Sequence, residues 1–444
     1  MPAWILSALL LSPAVDADLD RLVARSKVPS ARVSVAVGRA GELAAYLHRA
    51  DDARIPASNQ KILTAAAALR ILGRDYKFET RVVQLLDGNL GVRGEGDPNF
   101  SGRFFDGDAA KVMRHLARDV RAKGVVAVEG NLVLDASRFD DAWVHPDWPA
   151  DQLERWYCAP VAALVYNDSC WDVKVAPAKG LGELAHVTVL PSLIRPRIAN
   201  QCATVADKKS HVVHIGRAKE DGLVIRGGIL LDSPGIEQNI AVRDPVRFFG
   251  DALRAALLAE GVPVRGAVVR GVVGGKDLVV YRSSLARTLK VTLTHSQNLY
   301  AECIFKRLSA KGTFLDGSAA VKRVLQQMKI PTGGLGVADG SGLARSNRVS
   351  ARTLFHVLQE MAEETLFVDG LAAGGEGTLR RRFRDLGDRV RLKTGTIRGA
   401  SCLSGYVTDA GGRRWVMVVL CSTSDLRSAI RLQNSIVDYL AARP

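Results

Sequence analysis

Ser58 and Lys61 stand three residues apart at the start of an alanine-rich segment, and this pair could carry out nucleophilic chemistry. Because Pro56 interrupts the preceding segment and alanine favours helix, Ser58 is expected at or just inside a helix N-terminus. The first N–H groups of a helix lack intrahelical partners and favour negative charge, which suits a serine nucleophile and its oxyanion. Lys61 follows one turn later, within reach of the Ser58 hydroxyl. The pair fits acyl transfer with a lysine base, but this motif alone also allows a capping serine beside a solvated lysine.

Two downstream motifs belong to the same kind of chemistry. Residues 296–298 read S-Q-N, an S-x-N motif, and residues 393–396 read K-T-G-T, which contains a K-T-G motif. Penicillin-recognising serine enzymes carry motifs of the S-x-x-K, S-x-N and K-T-G types. Each motif is common by itself, so their shared order along the chain is what favours a serine acyl-transfer enzyme.

Further segments run through nearly the whole chain and strengthen this interpretation: E-G-D-P at 95–98, L-V-L-D-A-S-R-F at 132–139, A-P-V-A-A-L at 159–164, D-G-S-G-L at 339–343 and G-G-E-G-T-L at 374–379. With them, the chain resembles the class C low-molecular-mass penicillin-binding proteins, the D-alanyl-D-alanine carboxypeptidase/endopeptidase group. The resemblance implies that the partners are peptidoglycan stem peptides, cleaved through an acyl-serine intermediate, and β-lactam antibiotics as covalent inhibitors.

Acyl transfer needs a nucleophile, a base and a proton donor for the leaving amine. Ser58 is the expected nucleophile. Lys61 can act as the base only if its amine is neutral, which requires burial or a nearby positive charge, and Lys393 is the candidate for that charge. We expect Ser296 to pass a proton towards the leaving nitrogen. We expect Asn298 to hold both Lys61 and the substrate amide.

The K-T-G motif is expected to bind the terminal carboxylate of the substrate. Lys393 supplies a charge and Thr394 a hydroxyl, while Gly395 lets the substrate backbone approach closely. Thr396 resembles the family position whose backbone N–H forms the oxyanion hole together with that of Ser58. Two more polar residues match family positions but are explained equally well by turn and capping roles: Asp339 and Asn347.

Length and composition favour several domains, because 444 residues with 47% hydrophobic content are long for one core. A long, strand-rich segment separates Lys61 from Ser296. The expected fold class is an α/β (α+β) penicillin-recognising serine-enzyme domain built from both chain ends. The resemblance implies a large, mainly β insertion of one domain nested in another. The expected divisions are a signal peptide at 1–17, a catalytic domain at 18–72 and 285–444, domain II at 73–96 and 160–284, and domain III at 97–159.

Residues 1–17 resemble an export signal, with an apolar run at 3–11 and a small-residue cleavage site at 15–17. No lysine or arginine precedes the apolar run. The alternatives are therefore a start further upstream and a segment that is retained as an anchor. We expect an exported protein that works in the periplasm or another extracytoplasmic space.

The formal net charge of +15 does not by itself indicate nucleic acid as a partner. Basic residues are dispersed, and no zinc spacing or nucleic-acid motif accompanies them. A basic surface that favours peripheral association with anionic cell wall or membrane is one interpretation, and plain solubility is the other. Since G-x-G-x-x-G, Walker and Cys/His metal patterns are absent from the sequence, we expect no cofactor and no metal.

Cys402 and Cys421 flank a predicted hairpin. If Gly411 and Gly412 form a two-residue turn, the two cysteines face each other across the strands. They would then be either a cross-strand disulfide or two packed thiols. A separate segment, residues 143–157, is rich in Trp, Pro and Asp. It is either a surface for glycan or peptide, or a loop that only packs.

The sequence therefore predicts a serine-type DD-peptidase that cleaves D-Ala-D-Ala termini, with D-Ala–diamino-acid cross-links of peptidoglycan as a further candidate substrate. The alternatives are a β-lactamase or esterase of the same superfamily and an inactive cell-wall-binding scaffold. No E-x-x-L-N element of the kind that class A β-lactamases use for deacylation is present, so efficient β-lactam turnover is not expected.

Overall fold

The computed structural model describes residues 13–218 and 222–444, with side chains from Asp16 onward. Most of the predicted export signal, residues 1–12, lies outside the described residues. The chain forms two compact units. One contains the described residues up to Tyr76, His145–Asp147 and Ser284–Pro444, and the other contains Lys77–Val144 and Trp148–Ser283. The domain boundaries drawn from the sequence, including the division into domains II and III, stay predictions.

The α-helices of the described residues are α1 Pro13–Arg25, α2 Gln60–Ile71, α3 Ala110–Ala122, α4 Pro245–Ala259, α5 Leu285–Thr294, α6 Asn298–Arg307, α7 Phe314–Gln327, α8 Ala351–Glu360, α9 Thr365–Gly370 and α10 Leu426–Ala441. The strands are β1 Val33–Arg39, β2 Ala44–His48, β3 Lys77–Gln84, β4 Leu90–Gly94, β5 Leu132–Asp135, β6 Cys170–Ala176, β7 His186–Leu190, β8 Ile198–Val205, β9 Val212–Arg217, β10 Leu223–Leu230, β11 Ile236–Ala241, β12 Val268–Arg270, β13 Lys276–Ser284, β14 Val390–Ile397, β15 Ala400–Thr408 and β16 Arg414–Cys421.

The first unit is built on an antiparallel sheet in the order β14-β15-β16-β1-β2, so strands from both ends of the chain pair with each other. Alternate strand residues point to one face, where α1 and α10 cover them. This core includes Val35, Leu403 and Val419 from the strands and Leu432 and Ile436 from α10. Burial of each such side chain stabilises the fold by roughly 2 kcal/mol.

Helix α2 is the buried centre of the helical layer in this unit. Residues 60–69 are all buried, and α2 contacts α5, α6, α7 and α8. A helix that is mostly apolar on every side can be stable only when it is covered in this way. The sequence placed Ser58 at or just inside the start of this helix. In the structure Ser58 lies in the 3₁₀ turn Ala57–Asn59, directly before α2.

The second unit is rich in strands. Its five-stranded sheet has the order β12-β5-β4-β3-β13 and is covered by α4, which packs against α3. Two three-stranded sheets follow, in the orders β11-β6-β7 and β8-β10-β9. No helix in the described part of the chain is long and apolar enough to cross a membrane.

The predicted register of the last hairpin is wrong. Ser401 lies opposite Cys421, and Cys402 lies opposite Leu420. The Asp409 N–H donates to the carbonyl of Arg413 at 2.9 Å, so the hairpin loop consists of residues 410–412. This loop has three residues, one more than the predicted two. A shift of one residue sends side chains to the other face of a sheet. The two cysteines therefore do not face each other, and both are free thiols.

We expect the unfolded, non-reduced protein to show six titratable thiols, because all six cysteines are free and Cys402 and Cys421 point to opposite faces. Titration with a thiol reagent in denaturant measures this directly. A sample that has been reduced and desalted is the control. Two fewer thiols in the non-reduced sample than in the control would contradict the observed register.

Candidate active site

Ser58 is held by a tight turn between Pro56 and helix α2. The Asn59 N–H donates to the Pro56 carbonyl at 3.1 Å, and Ala57 has a φ of 47°, a left-handed conformation that non-glycine residues rarely adopt. Such a conformation costs on the order of 1 kcal/mol and persists only where the surrounding structure imposes it. Ser58 remains partly exposed although its neighbours in the turn are buried. The turn thus presents one hydroxyl to substrate from a buried support.

Lys61 is fully buried, and its amine contacts three acceptors. The Nζ atom lies 3.0 Å from Ser58 Oγ, 2.7 Å from Asn298 Oδ1 and 2.8 Å from the carbonyl oxygen of Ser341. A neutral amine has two N–H donors and one lone pair. If the two donors go to Asn298 and Ser341, the lone pair points to the Ser58 hydroxyl, which is the geometry that a base requires.

Burial is the main reason that the pKa of Lys61 is lowered to about 7, and the charges of Glu302 and Asp339 oppose this decrease. The pKa of Lys393 is lowered well below its ordinary value, first by burial and then by the charge of Lys61. From the sequence, either burial or the charge of Lys393 was expected to lower the pKa of Lys61 and make its amine neutral. In the structure, burial dominates.

Lys393 and Ser296 form the second part of the site. Lys393 lies on β14, is fully buried, and donates to Ser296 Oγ at 2.8 Å and to the carbonyl of Thr394 at 2.8 Å. Ser296 lies in the turn between α5 and α6 with a φ of 59°, while Asn298 begins α6. The two lysines are close enough for the charge of one to lower the pKa of the other. The three motifs therefore meet at one site in the first unit.

Gly395 faces the Ser58 turn. A Cβ atom at this position would lie 2.8 Å from the Pro56 carbonyl oxygen and 3.0 Å from the Ser58 nitrogen. The Asn59 side chain also donates to the Lys393 carbonyl at 3.3 Å. Glycine lets β14 approach the serine turn.

Thr394, the second residue of the K-T-G motif, and Thr396, which follows the motif, lie on the same strand and differ in solvent exposure. Thr394 is half-buried and Thr396 is exposed. Thr396 is paired with Ser401 of β15 in the sheet register. Both threonines are therefore accessible from solvent next to Lys393.

Asp339 and Asn347 shape the loop that supplies the Ser341 carbonyl. Asp339 accepts from the backbone N–H groups of Gly342 and Ala344 at 2.8 and 2.6 Å and from the Asn347 side chain at 2.8 Å. Asn347 Oδ1 in turn accepts from the Ala338 N–H at 2.8 Å. The turn role that the sequence allowed for both residues is present, and it fixes an acceptor for Lys61.

Glu302 is a site residue that the sequence reasoning missed. It is fully buried on α6, and its two oxygens accept from the backbone N–H groups of Gly340 and Ser341 at 2.8 and 2.7 Å. Burial and the charge of Asp339 raise the pKa of Glu302 to about 8. The available signal was its position four residues after Asn298, on the same face of a helix.

Within the described residues, no group of three or more His, Cys, Asp and Glu side chains is arranged to hold a metal ion.

Three features of the first unit occur together. Its sheet has helices on both faces, Ser58 lies next to the buried Lys61, and a second buried lysine, Lys393, lies on the edge strand β14. Together they define a penicillin-recognising serine enzyme. Residues 15–442 match the D-Ala-D-Ala carboxypeptidase 3 (S13) family. The chain belongs to this family and is a serine-type D-Ala-D-Ala carboxypeptidase, as the sequence predicted.

Two relatives illustrate the match. The chain is 30% identical over 393 residues to a D-alanyl-D-alanine carboxypeptidase of Actinomadura sp. (strain R39), covering 81% of this chain and 71% of that protein. It is 27% identical over 403 residues to the D-alanyl-D-alanine carboxypeptidase DacB of Haemophilus influenzae, covering 84% and 82%.

Solved structures show the same fold. The crystal structure of penicillin binding protein 4 from Haemophilus influenzae matches with a TM-score of 0.81 at 24% identity, covering 96% of this chain and all of that one. The penicillin G-acylated Bd3459 predatory endopeptidase of Bdellovibrio bacteriovorus matches with a TM-score of 0.51 at 15% identity, covering 92% of both chains. The predicted fold class is confirmed.

We expect acylation to become faster as the pH rises through about 7, because Lys61 must lose its proton before it can accept one from Ser58. The pKa of Lys61 is lowered by folding, so the neutral amine is present above about pH 7 and is lost below it. Rates of acylation by benzylpenicillin, measured by quenched-flow mass spectrometry between about pH 5 and about pH 9, give the profile. A rate that stays constant over this range would exclude Lys61 as the titrating base.

We expect Glu302→Gln to slow acylation and to move its pH midpoint downward. The amide nitrogen cannot accept from Gly340 or Ser341, and an unpaired buried N–H costs about 1–3 kcal/mol. The lost charge also no longer raises the pKa of Lys61. The same pH profile measures both effects, and the exposed Glu363→Gln is the matched control. An unchanged midpoint with a normal thermal unfolding curve would mean that Glu302 only supports the fold.

Proposed function

We propose that the enzyme removes the terminal D-alanine from peptidoglycan stem peptides through an ester on Ser58. The observation that carries this proposal is the buried Lys61 amine at 3.0 Å from Ser58 Oγ. Lys61 accepts the hydroxyl proton while the oxygen attacks the carbonyl carbon of the penultimate D-alanine. The backbone N–H groups of Ser58 and Thr396 then stabilise the oxyanion, and each such donor contributes about 3 kcal/mol.

The leaving amine must gain a proton when the peptide C–N bond breaks. Ser296 is proposed as the donor. Lys393 donates to Ser296 Oγ at 2.8 Å, which leaves the serine hydroxyl hydrogen available for the leaving nitrogen. The Asn298 carboxamide oxygen accepts from Lys61 at 2.7 Å, and its N–H₂ group is proposed to donate to the substrate amide. Water then hydrolyses the ester and releases the shortened peptide.

Lys393, Thr394 and Gly395 are proposed to receive the terminal carboxylate. Lys393 is buried, its hydrogen-bond partners within the described part of the chain are the Ser296 hydroxyl and the Thr394 carbonyl, and burial lowers its pKa. An incoming carboxylate supplies the missing negative charge and favours the protonated amine. The Thr394 hydroxyl adds a neutral donor, while Gly395 keeps the strand close to the nucleophile turn. Substrate binding is thereby linked to the charge state of the site.

Cleavage of D-Ala–diamino-acid cross-links is the second candidate activity. The acyl half of such a substrate is the same as in a D-Ala-D-Ala terminus, and only the leaving amine is larger. The partly exposed Ser58 and the exposed Thr396 favour this possibility, because they lie at the accessible side of the site. Chromatography of cross-linked muropeptides after digestion separates loss of D-alanine from loss of dimers.

We also propose that the protein is exported and works on the cell wall outside the cytoplasm, with its basic surface favouring peripheral contact with anionic material. The apolar run at residues 3–11 and the membership in a carboxypeptidase family support this proposal. Nucleic acid is not proposed as a partner.

Benzylpenicillin is expected to add one covalent adduct to the wild type and none to Ser58→Ala. β-Lactams mimic the D-Ala-D-Ala terminus, and the absence of an E-x-x-L-N element favours a long-lived adduct. Intact-mass spectrometry measures the adduct, with the exposed Ser30→Ala as a matched control.

An adduct that persists in Ser58→Ala would remove Ser58 as the nucleophile. A wild type without adduct would favour a binding scaffold if the antibiotic stays intact. Consumption of the antibiotic without an adduct would favour a β-lactamase.

A further inference from the structure

The second unit contains a pocket of about 650 Å³ that the catalytic chemistry does not use. Its walls come from the 3₁₀ turns Ala150–Gln152 and Trp156–Cys158 and from strand β11. Part of its lining comes from residues 143–157, a segment rich in Trp, Pro and Asp. The sequence alone left two roles open for this segment, a ligand surface or loop packing. A volume of this size suits a ligand of two or three rings.

Hydrogen bonds hold the pocket walls together. The Ala241 N–H donates to the Glu154 carbonyl at 2.9 Å, and Arg155 forms a β-bridge with Ile240. These contacts fix the loop to β11. The hydroxyl of Tyr157 donates to Gln152 Oε1 at 2.8 Å and orients that amide. The pocket is consequently formed before any ligand arrives.

Trp156 exposes a large apolar surface at this pocket. Its relative exposure is 39%, and its ring packs edge-to-face on Tyr157 with centroids 5.7 Å apart and planes at 82°. Exposed aromatic rings next to polar side chains are common at binding sites, because the ring is apolar on its face and rigid. The flat face suits the C–H side of a pyranose, whose hydrogens carry partial positive charge and meet the negative ring face.

Polar groups that suit a sugar surround the indole. Gln152, Gln238 and Asn239 carry amides, Asp151 and Glu237 carry carboxylates, and Arg155 carries a guanidinium. Among the described residues, Asp151 and the indole N–H of Trp156 make no hydrogen bond or ion pair, so both can serve a ligand. Carboxylate and amide oxygens accept from sugar hydroxyls and acetamido N–H groups, and the amide N–H₂ groups donate to sugar oxygens. A neutral, hydroxyl-rich ring fits this set better than a chain of charged residues.

We infer that this pocket binds the glycan strand of peptidoglycan, with an N-acetylated hexosamine against Trp156 and its polar groups on Asp151 and Gln152. The inference rests on the proposed function, because a stem-peptide substrate in the wall is attached to such a strand. A second attachment point raises the effective concentration of stem peptides near the enzyme. The pocket thus favours polymeric wall over free peptides as the substrate.

Calorimetric titration of the full chain with the tetramer of N-acetylglucosamine tests this inference. We expect binding by the wild type, and Trp156→Ala is expected to weaken it at least about tenfold, a loss typical of a central tryptophan. Asp151→Asn is expected to weaken it less. Leu86→Ala removes an exposed apolar side chain elsewhere in the same unit and is the matched control, with affinity equal to that of the wild type. Thermal unfolding of each variant verifies its fold.

The outcomes separate the pocket from the catalytic proposal when penicillin acylation of the wild type is measured in the same sample. Acylation without tetramer binding, or with binding that Trp156→Ala leaves unchanged, overturns the glycan inference and leaves the proposed function intact. Trp156-dependent binding without acylation supports the pocket and overturns the acyl-enzyme proposal. Binding of a sugar-free stem peptide that depends on Trp156, with no binding of the tetramer, would also overturn the glycan inference.

Discussion

The burial of the Lys61 amine is the constraint on which the rest of the site depends. An ammonium ion transferred from water to a protein interior loses several kcal/mol of solvation, so the neutral amine is favoured and the pKa falls to about 7. The amine must nevertheless keep hydrogen-bond partners. The 3₁₀ turn before helix α2 supplies Ser58, helix α6 supplies Asn298, and a loop supplies the Ser341 carbonyl. Three separate parts of the chain therefore have to converge on one nitrogen atom.

Two close backbone approaches make this convergence possible. At Gly395, strand β14 comes against the turn that carries Ser58, and at Gly342 the loop comes against the carbonyl of Ala57. A Cβ at Gly342 would lie only 1.8 Å from that carbonyl oxygen. The left-handed conformation of Ala57 is held between these two contacts. The serine turn is thus fixed from both sides, which keeps the hydroxyl in place for an incoming carbonyl group.

The charges of the site act on one another at short range. The buried carboxylates of Glu302 and Asp339 act on the buried amine of Lys61, and each carboxylate is held by backbone N–H groups. Because the carboxylate charges raise the pKa of Lys61 while burial lowers it, the amine is poised near neutral pH. The protonation states of Lys61 and Glu302 depend on each other. The second unit supplies neither of these groups, and its pocket is proposed to add recognition of the polymer to chemistry at the peptide.

The sequence by itself determined the candidate nucleophile, the motif residues around it and the fold class, because these depend on local spacing and on the order of motifs along the chain. It did not reveal Glu302, since a lone glutamate on a helix gains meaning only when a distant loop donates to it. It also gave the wrong register for Cys402 and Cys421, because one more loop residue reverses the faces of a strand. Only the tertiary structure decided which groups lie against Gly395 and why Lys61 loses its proton. Both answers depend on groups far apart in sequence that packing brings within a few ångströms.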